Sequence, residues 1–175
     1  MKKLILFATL LITTVLTAQT KNELKLMQKA MGEIETTVDK FDETIDWSSP
    51  TWGKGFSSSV LKPFKFIRIR RKDGSLTTYM RVITYGASLN VGIGGLIVLF
   101  EDGTRFERPG AKVSVEATSG SYWEYRAFER VTDEELMLFE SKKIDSFRLF
   151  IYDGTVSPRE KIKIMGYAKA IRFKK

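Results

Sequence analysis

Three Asp-Gly pairs, Asp73-Gly74, Asp102-Gly103 and Asp153-Gly154, each stand beside a run rich in β-branched and aromatic residues. Asp-Gly marks a hairpin because glycine accepts the positive φ that a tight reversal demands. Antiparallel strands are therefore the main thing this chain can build. Phe64 to Arg71 and Leu76 to Tyr85 flank the first turn, Lys72-Asp73-Gly74-Ser75. Leu96 to Phe100 and Thr104 to Arg108 flank the second, with Pro109-Gly110 ending the later strand. Lys112 to Ala117 alternates Val113, Val115 and Ala117 toward one face, and Ser119-Gly120-Ser121 turns the chain into Tyr122 to Val131, its predicted partner. Ile144 to Tyr152 reads as a further strand, closed by Asp153-Gly154.

Helices are signalled at three places. Thr132-Asp133-Glu134-Glu135 is a capping box, in which Thr132 accepts from the Glu135 amide and the Glu135 carboxylate reaches back. Ser157-Pro158-Arg159-Glu160 supplies an N-cap, a proline at the first helical position and a carboxylate at the third, opening a helix over 158–171 with Ile162, Met165, Ala168 and Ile171 on one stripe. Leu24, Met27, Met31, Ile34, Val38, Phe41 and Ile45 recur at steps of three and four. The β-formers Thr36, Thr37, Thr44 and Trp47 limit the helical part to about 22–34, within 19–35, and predict a strand over about 36–48. A continuous coiled coil is the alternative for this stretch. The fold class predicted is α+β, predominantly antiparallel β. It is a sandwich or partly open barrel of about seven or eight strands with an N-terminal, an inter-strand and a C-terminal helix.

Leu89-Asn90-Val91-Gly92, Val98-Leu99-Phe100-Glu101-Asp102-Gly103-Thr104, Tyr125-Arg126-Ala127-Phe128, Thr132-Asp133-Glu134-Glu135-Leu136 and Phe147-Arg148-Leu149-Phe150-Ile151-Tyr152-Asp153 resemble a group of small exported proteins of Bacteroidota. The resemblance covers about residues 80–153. It implies export and a β-rich fold, and it implies no activity and no site residue.

The amino terminus agrees on export. Lys2 and Lys3 precede an uncharged run from Leu4 to Leu16, and Ala18 offers a small residue for cleavage. These 13 residues are short of the about 20 that span a bilayer, so 1–18 reads as a secretory signal peptide and 19–175 as one β-rich domain. Cleavage removes two lysines and lowers the formal charge from +8 to +6. The expected location is the periplasm or outside the cell, with no transmembrane span after cleavage.

The chain has no cysteine and no histidine. That removes lipid attachment at a cysteine, disulfides, thiol and Ser-His-Asp catalysis, and zinc sites of the Cys/His kind. No catalytic residue, metal ligand or cofactor is assigned. Val91-Gly92-Ile93-Gly94-Gly95 lacks the Gly-Lys-Ser/Thr of a phosphate loop, and Ser59-Val60-Leu61-Lys62 has Ser-x-x-Lys spacing but runs into Pro63 and lacks companion motifs. Arg68, Arg70 and Lys72 alternate along one strand, and Arg81 on the next strand is placed with them as a candidate anion-binding face. Trp52, in the Ser/Gly-rich loop 48–59, is the candidate aromatic ligand contact.

These features point to a non-enzymatic exported binding module for an anionic envelope glycan or lipid, or for a protein. Nucleic acid fits the charge and conflicts with export. A carboxylate-based glycan hydrolase and a structural envelope protein assembling through its amino-terminal helix are the alternatives.

Overall fold

The computed structural model describes residues 20–51, 62–92, 94–118 and 120–175. The predicted signal segment, Trp52 and Ser59 lie outside the described residues, as does most of the Ser/Gly loop. Helix α1 is seen over 20–31. It is followed by strands β1 (Glu35–Val38), β2 (Ile45–Ser48), β3 (Phe64–Arg70), β4 (Leu76–Gly86), β5 (Leu96–Phe100), β6 (Arg105–Arg108), β7 (Val113–Ala117) and β8 (Trp123–Val131). Helix α2 (Asp133–Ser141), strands β9 (Ile144–Leu149) and β10 (Tyr152–Thr155), and helix α3 (Pro158–Arg172) complete the chain. One sheet has six strands in the order β1-β2-β3-β4-β8-β7, the other has four in the order β10-β9-β5-β6, and every pairing is antiparallel. The α+β class and the sandwich-like packing agree with the sequence.

Two expected strands are divided. Residues 36–48 form a hairpin, because Asp39 and Asp42 accept from the amides of Phe41 and Thr44 and stabilise a reversal that the three-and-four periodicity conceals. The strand from Ile144 turns at Phe150-Ile151, with Phe150 at φ 59°, so Asp153-Gly154 lies inside β10 rather than closing β9. An aromatic residue in the left-handed region is costly. Its ring stacks on Tyr125 at 6.2 Å and its amide donates to the Gly95 carbonyl, and these contacts hold the turn where it is.

The two leading hairpins share one device. Around Gly74 and Gly103 the chain spans three residues between paired positions, with glycine at φ 80° and 82°. In each, the residue before the loop and the residue after it close it by a hydrogen bond, Arg71 to Ser75 and Phe100 to Thr104. This is a turn with a glycine bulge, and it sets the register one residue away from that of a two-residue loop.

The core lies between the sheets and under the helices. Phe139 of α2 sits at its centre, with ring centroids 5.6 Å from Phe66 of the large sheet and 5.4 and 5.2 Å from Phe100 and Phe106 of the small one. Each edge-on pair adds about 0.5–1.5 kcal/mol beyond the area buried. The capping box that starts α2 is made as the sequence predicts, with Thr132 and Glu135 bonded reciprocally. Helix α3 buries a wider stripe than predicted, Ile162, Ile164, Tyr167, Ala168, Ala170 and Ile171, because α1, α2 and β3 all adjoin it.

Candidate anion-binding face

The register of the first hairpin decides which basic residues meet. Arg68 is opposite Thr78 and Lys65 is opposite Arg81, so even-numbered residues of β3 and β4 share one face and odd-numbered residues the other. Phe64, Phe66, Met80 and Val82 fill the core. Arg68 and Arg70 therefore lie on the inner side and Arg81 on the outer, and the sequence grouping of these three on one face is corrected. A two-residue Asp-Gly loop would have put Arg81 with the even residues of β3. The glycine-bulged loop shifts the register by one and reverses the face.

The four predicted residues meet different fates. Arg68 is only 6 % exposed and clamps Asp133 at the start of α2 with two hydrogen bonds of 2.7 and 3.3 Å. That pair joins the large sheet to the helix and uses the guanidinium internally. Arg70 lies over the Trp47 ring, 5.8 Å from its centroid, and reaches the Lys175 carbonyl at 3.4 Å. Lys72 stands in the turn, exposed and paired with Glu43 at 3.0 Å. Arg81 alone sits among basic neighbours.

On the outer face the cross-strand rows run Ile67–Tyr79–Arg130, then Lys65–Arg81–Phe128, then Ile83–Arg126, then Tyr85–Glu124–Glu116. Lys65 and Arg81 are directly opposite, an arrangement of like charges that costs up to ~1 kcal/mol. Lys65 donates to the Thr51 hydroxyl at 3.0 Å. Burial and the Arg81 charge together hold its ammonium below the ordinary lysine range. Arg126 is well supplied: it reaches Glu124 at 3.1 and 2.5 Å and Glu116 at 3.2 Å. The Glu124 contact strengthens its hold on its proton. Tyr85 donates to Glu124 at 3.3 Å, and burial followed by that carboxylate pushes the phenol up to about 12.

Arg81 has no such company. Among the described residues it makes no hydrogen bond and no ion pair, and its Nε and Nη2 are shut off from solvent without an acceptor. Burial, then the neighbouring Arg126 charge, lowers its proton affinity, with Glu124 opposing. A guanidinium loses about 1–3 kcal/mol or more when its donors are buried unpaired. Arg81 thus stands between Lys65 and Arg126 with two donors unpaired, while Arg126 itself is held by Glu124 and Glu116 and Lys65 by the Thr51 hydroxyl. Beside it the rings of Tyr79 and Phe128 stack at 4.8 Å and 18°, with Phe128 50 % exposed.

Lys65, Arg126 and Arg130 are not singled out by sequence reasoning. Strand parity offers the missing signal, since Lys65 and Arg81 differ by an even number and a three-residue loop pairs residues of equal parity. Tyr125 of β8 is buried, and Tyr122 just before the strand is 60 % exposed. Among the described residues no group of three His, Cys, Asp or Glu is placed to hold a metal ion, and no helix is long and apolar enough to cross a membrane. Comparison with protein-family models, with curated proteins and with solved structures returns no match.

Proposed function

We propose that this chain is an exported, non-enzymatic binding module that takes the anionic group of an envelope component on the outer face of its six-stranded sheet. The observation that carries the reading is Arg81, half-buried between Lys65 and Arg126 with two donors, Nε and Nη2, that find no acceptor. A carboxylate, sulfate or phosphate that reaches this guanidinium supplies an acceptor to it and offsets the repulsion between the directly opposed Lys65 and Arg81. Export is supported by the Lys2-Lys3 start, the apolar run to Leu16 and Ala18.

The alternatives draw less support. Glu116 and Glu124 face one another across β7 and β8, but Arg126 bridges both, which leaves neither free for acid–base work. Ala30 of α1 is fully buried, close to Gly166 of α3, so that part of the helix is used within the chain rather than between chains.

The test is binding of the mature chain to polygalacturonate and to vesicles containing phosphatidylglycerol, from low salt to physiological salt (~0.15 M). Binding to either probe is expected, and it weakens as salt rises. Arg81→Gln should lower it at least tenfold, about 1.4 kcal/mol. Lys72→Ser, on the distant turn, should leave it unchanged. Equal loss in both variants, or none in Arg81→Gln, overturns the reading.

A further inference from the structure

We infer that the ligand of this face is an acidic glycan, whose carboxylate engages Arg81 while a sugar ring lies against Phe128; the inference rests on the anion-binding reading above. Phe128 is directly opposite Arg81 in the β4–β8 ladder, and Tyr79 is two residues along β4 on the same side. The Phe128 side chain, half exposed, presents an apolar aromatic surface beside the half-buried Arg81 cation. A bare inorganic anion has no use for such a surface. An acidic sugar has both parts, a charged group and a flat face of C–H bonds, and the two are joined by a single bond.

The layout also sets a direction. Successive residues on one face of a strand are about 6.6 Å apart, two steps of the strand rise. From Lys65 across Arg81 to Phe128 the row crosses three strands, and neighbouring strands are about 4.8 Å apart. Arg130, exposed, adds a second positive group diagonal to Arg81, beyond Phe128 along β8. A chain of uronate residues laid over Phe128 therefore meets charge on either side of the ring, at Arg81 and at Arg130. The tightly folded face of a lipid headgroup would satisfy the cations and leave Phe128 idle. A membrane would in addition call for several exposed apolar side chains, whereas Arg130 and Lys65 stand in the rows beside the aromatic pair.

The experiment is titration of the mature chain with oligogalacturonate, with a neutral oligogalactoside of equal length and with phosphatidylglycerol vesicles, for the wild type, Phe128→Ala, Phe128→Leu and Arg81→Gln. Phe128 is surface-exposed, and far-UV circular dichroism with a thermal melt checks that each variant keeps the fold. The wild type should bind oligogalacturonate and bind the neutral sugar at least tenfold more weakly. Phe128→Ala should weaken oligogalacturonate binding roughly fivefold. Phe128→Leu, apolar and not aromatic, should fall between. If Arg81→Gln abolishes binding while both Phe128 variants bind as the wild type does, the glycan inference fails and anion binding stands. Vesicle binding without oligogalacturonate binding likewise overturns the glycan and leaves the anion site. If Arg81→Gln binds as well as the wild type, both readings fail together.

Discussion

Two clusters of charge lie three residues apart on either side of Pro63, and they are opposite in kind. At Lys62 the ammonium, a hydroxyl and a carboxylate answer one another, although nearby Glu160 keeps one buried carboxylate oxygen without a partner. The ammonium, 6 % exposed, donates to the Tyr167 hydroxyl at 2.6 Å, and that hydroxyl donates to Glu33 at 2.5 Å. Glu33 also faces Lys62 at 3.9 Å and Lys163 at 3.4 Å. The cluster ties β3's approach to α1 and α3. At Lys65 the residue directly opposite is Arg81, with the charges of Glu35 and Asp46 also acting on the lysine; Arg126 lies diagonal to Arg81, and Nε and Nη2 of Arg81 have no acceptor. The first arrangement is what a fold does with charge it must bury. The second, on the anion-binding proposal, is what a fold keeps when a ligand completes it.

The contrast breaks first at the helix that closes the satisfied cluster. Gly166 of α3 lies where α1 crosses, and a β-carbon there would stand 2.6 Å from the Met27 carbonyl oxygen and 3.0 Å from the Ala30 side chain. Backbone cannot yield cheaply, so Gly166→Val should cost ~3 kcal/mol. Because Glu33 follows α1 directly, its undocking also releases the Glu33 carboxylate. Denaturant unfolding gives the loss, and hydrogen exchange over 20–31 should rise more than elsewhere. A variant as stable as the wild type would show that α1 is not held by this crossing.

Much of the framework is legible in the sequence because it is written locally. The Asp-Gly turns, the Thr132–Glu135 capping box and the Ser157-Pro158 start each act through residues within a turn of one another, and the first two of those turns, the box and the helix start appear as read. The candidate site is harder to read because it depends on register. The difference between a two-residue and a three-residue loop at Asp73-Gly74 is one residue, yet it moves Arg81 from the face of Arg68 to that of Lys65. Arg68 is misread for a related reason. Its alternation with Arg70 is real, but the face they share is the inner one, and only the remote Asp133 makes a buried arginine acceptable there. Phe150 carries no turn signal at all, and its positive φ is imposed by packing on Tyr125.

A smaller effect tests the charges in the satisfied cluster themselves. Burial pushes the Glu33 carboxyl up, while the Tyr167 hydroxyl and the charges of Lys163 and Lys62 draw it down, and the net position is below the ordinary value of 4.5. A carboxyl held lower in the folded chain adds stability above its unfolded pKa and loses it as pH falls through the folded value. Glu33→Gln should therefore cost ~2 kcal/mol at neutral pH, since Lys62 and Lys163 are left without their carboxylate. The gap between variant and wild type should narrow below pH ~4, where the wild-type carboxyl also takes up its proton. A gap independent of pH would assign Glu33 to packing rather than charge.

The unsatisfied cluster should answer with the opposite sign. Replacing Arg81 by methionine keeps much of the side-chain length, removes the buried donors and ends the repulsion with Lys65 directly opposite and Arg126 on the diagonal. In the absence of ligand, Arg81→Met should raise stability by ~1 kcal/mol. Burial and the Arg81 charge both depress the Lys65 pKa, so relief of the second should raise it, which amine titration by NMR reads directly. An anion that binds the folded wild type stabilises it by mass action, whereas the methionine variant lacks the group that would hold it. Adding oligogalacturonate should therefore close the stability gap, and at sufficient concentration reverse it. If Arg81→Met is less stable than the wild type without ligand, the guanidinium belongs to the fold as Arg68 does, and the distinction between the two clusters disappears.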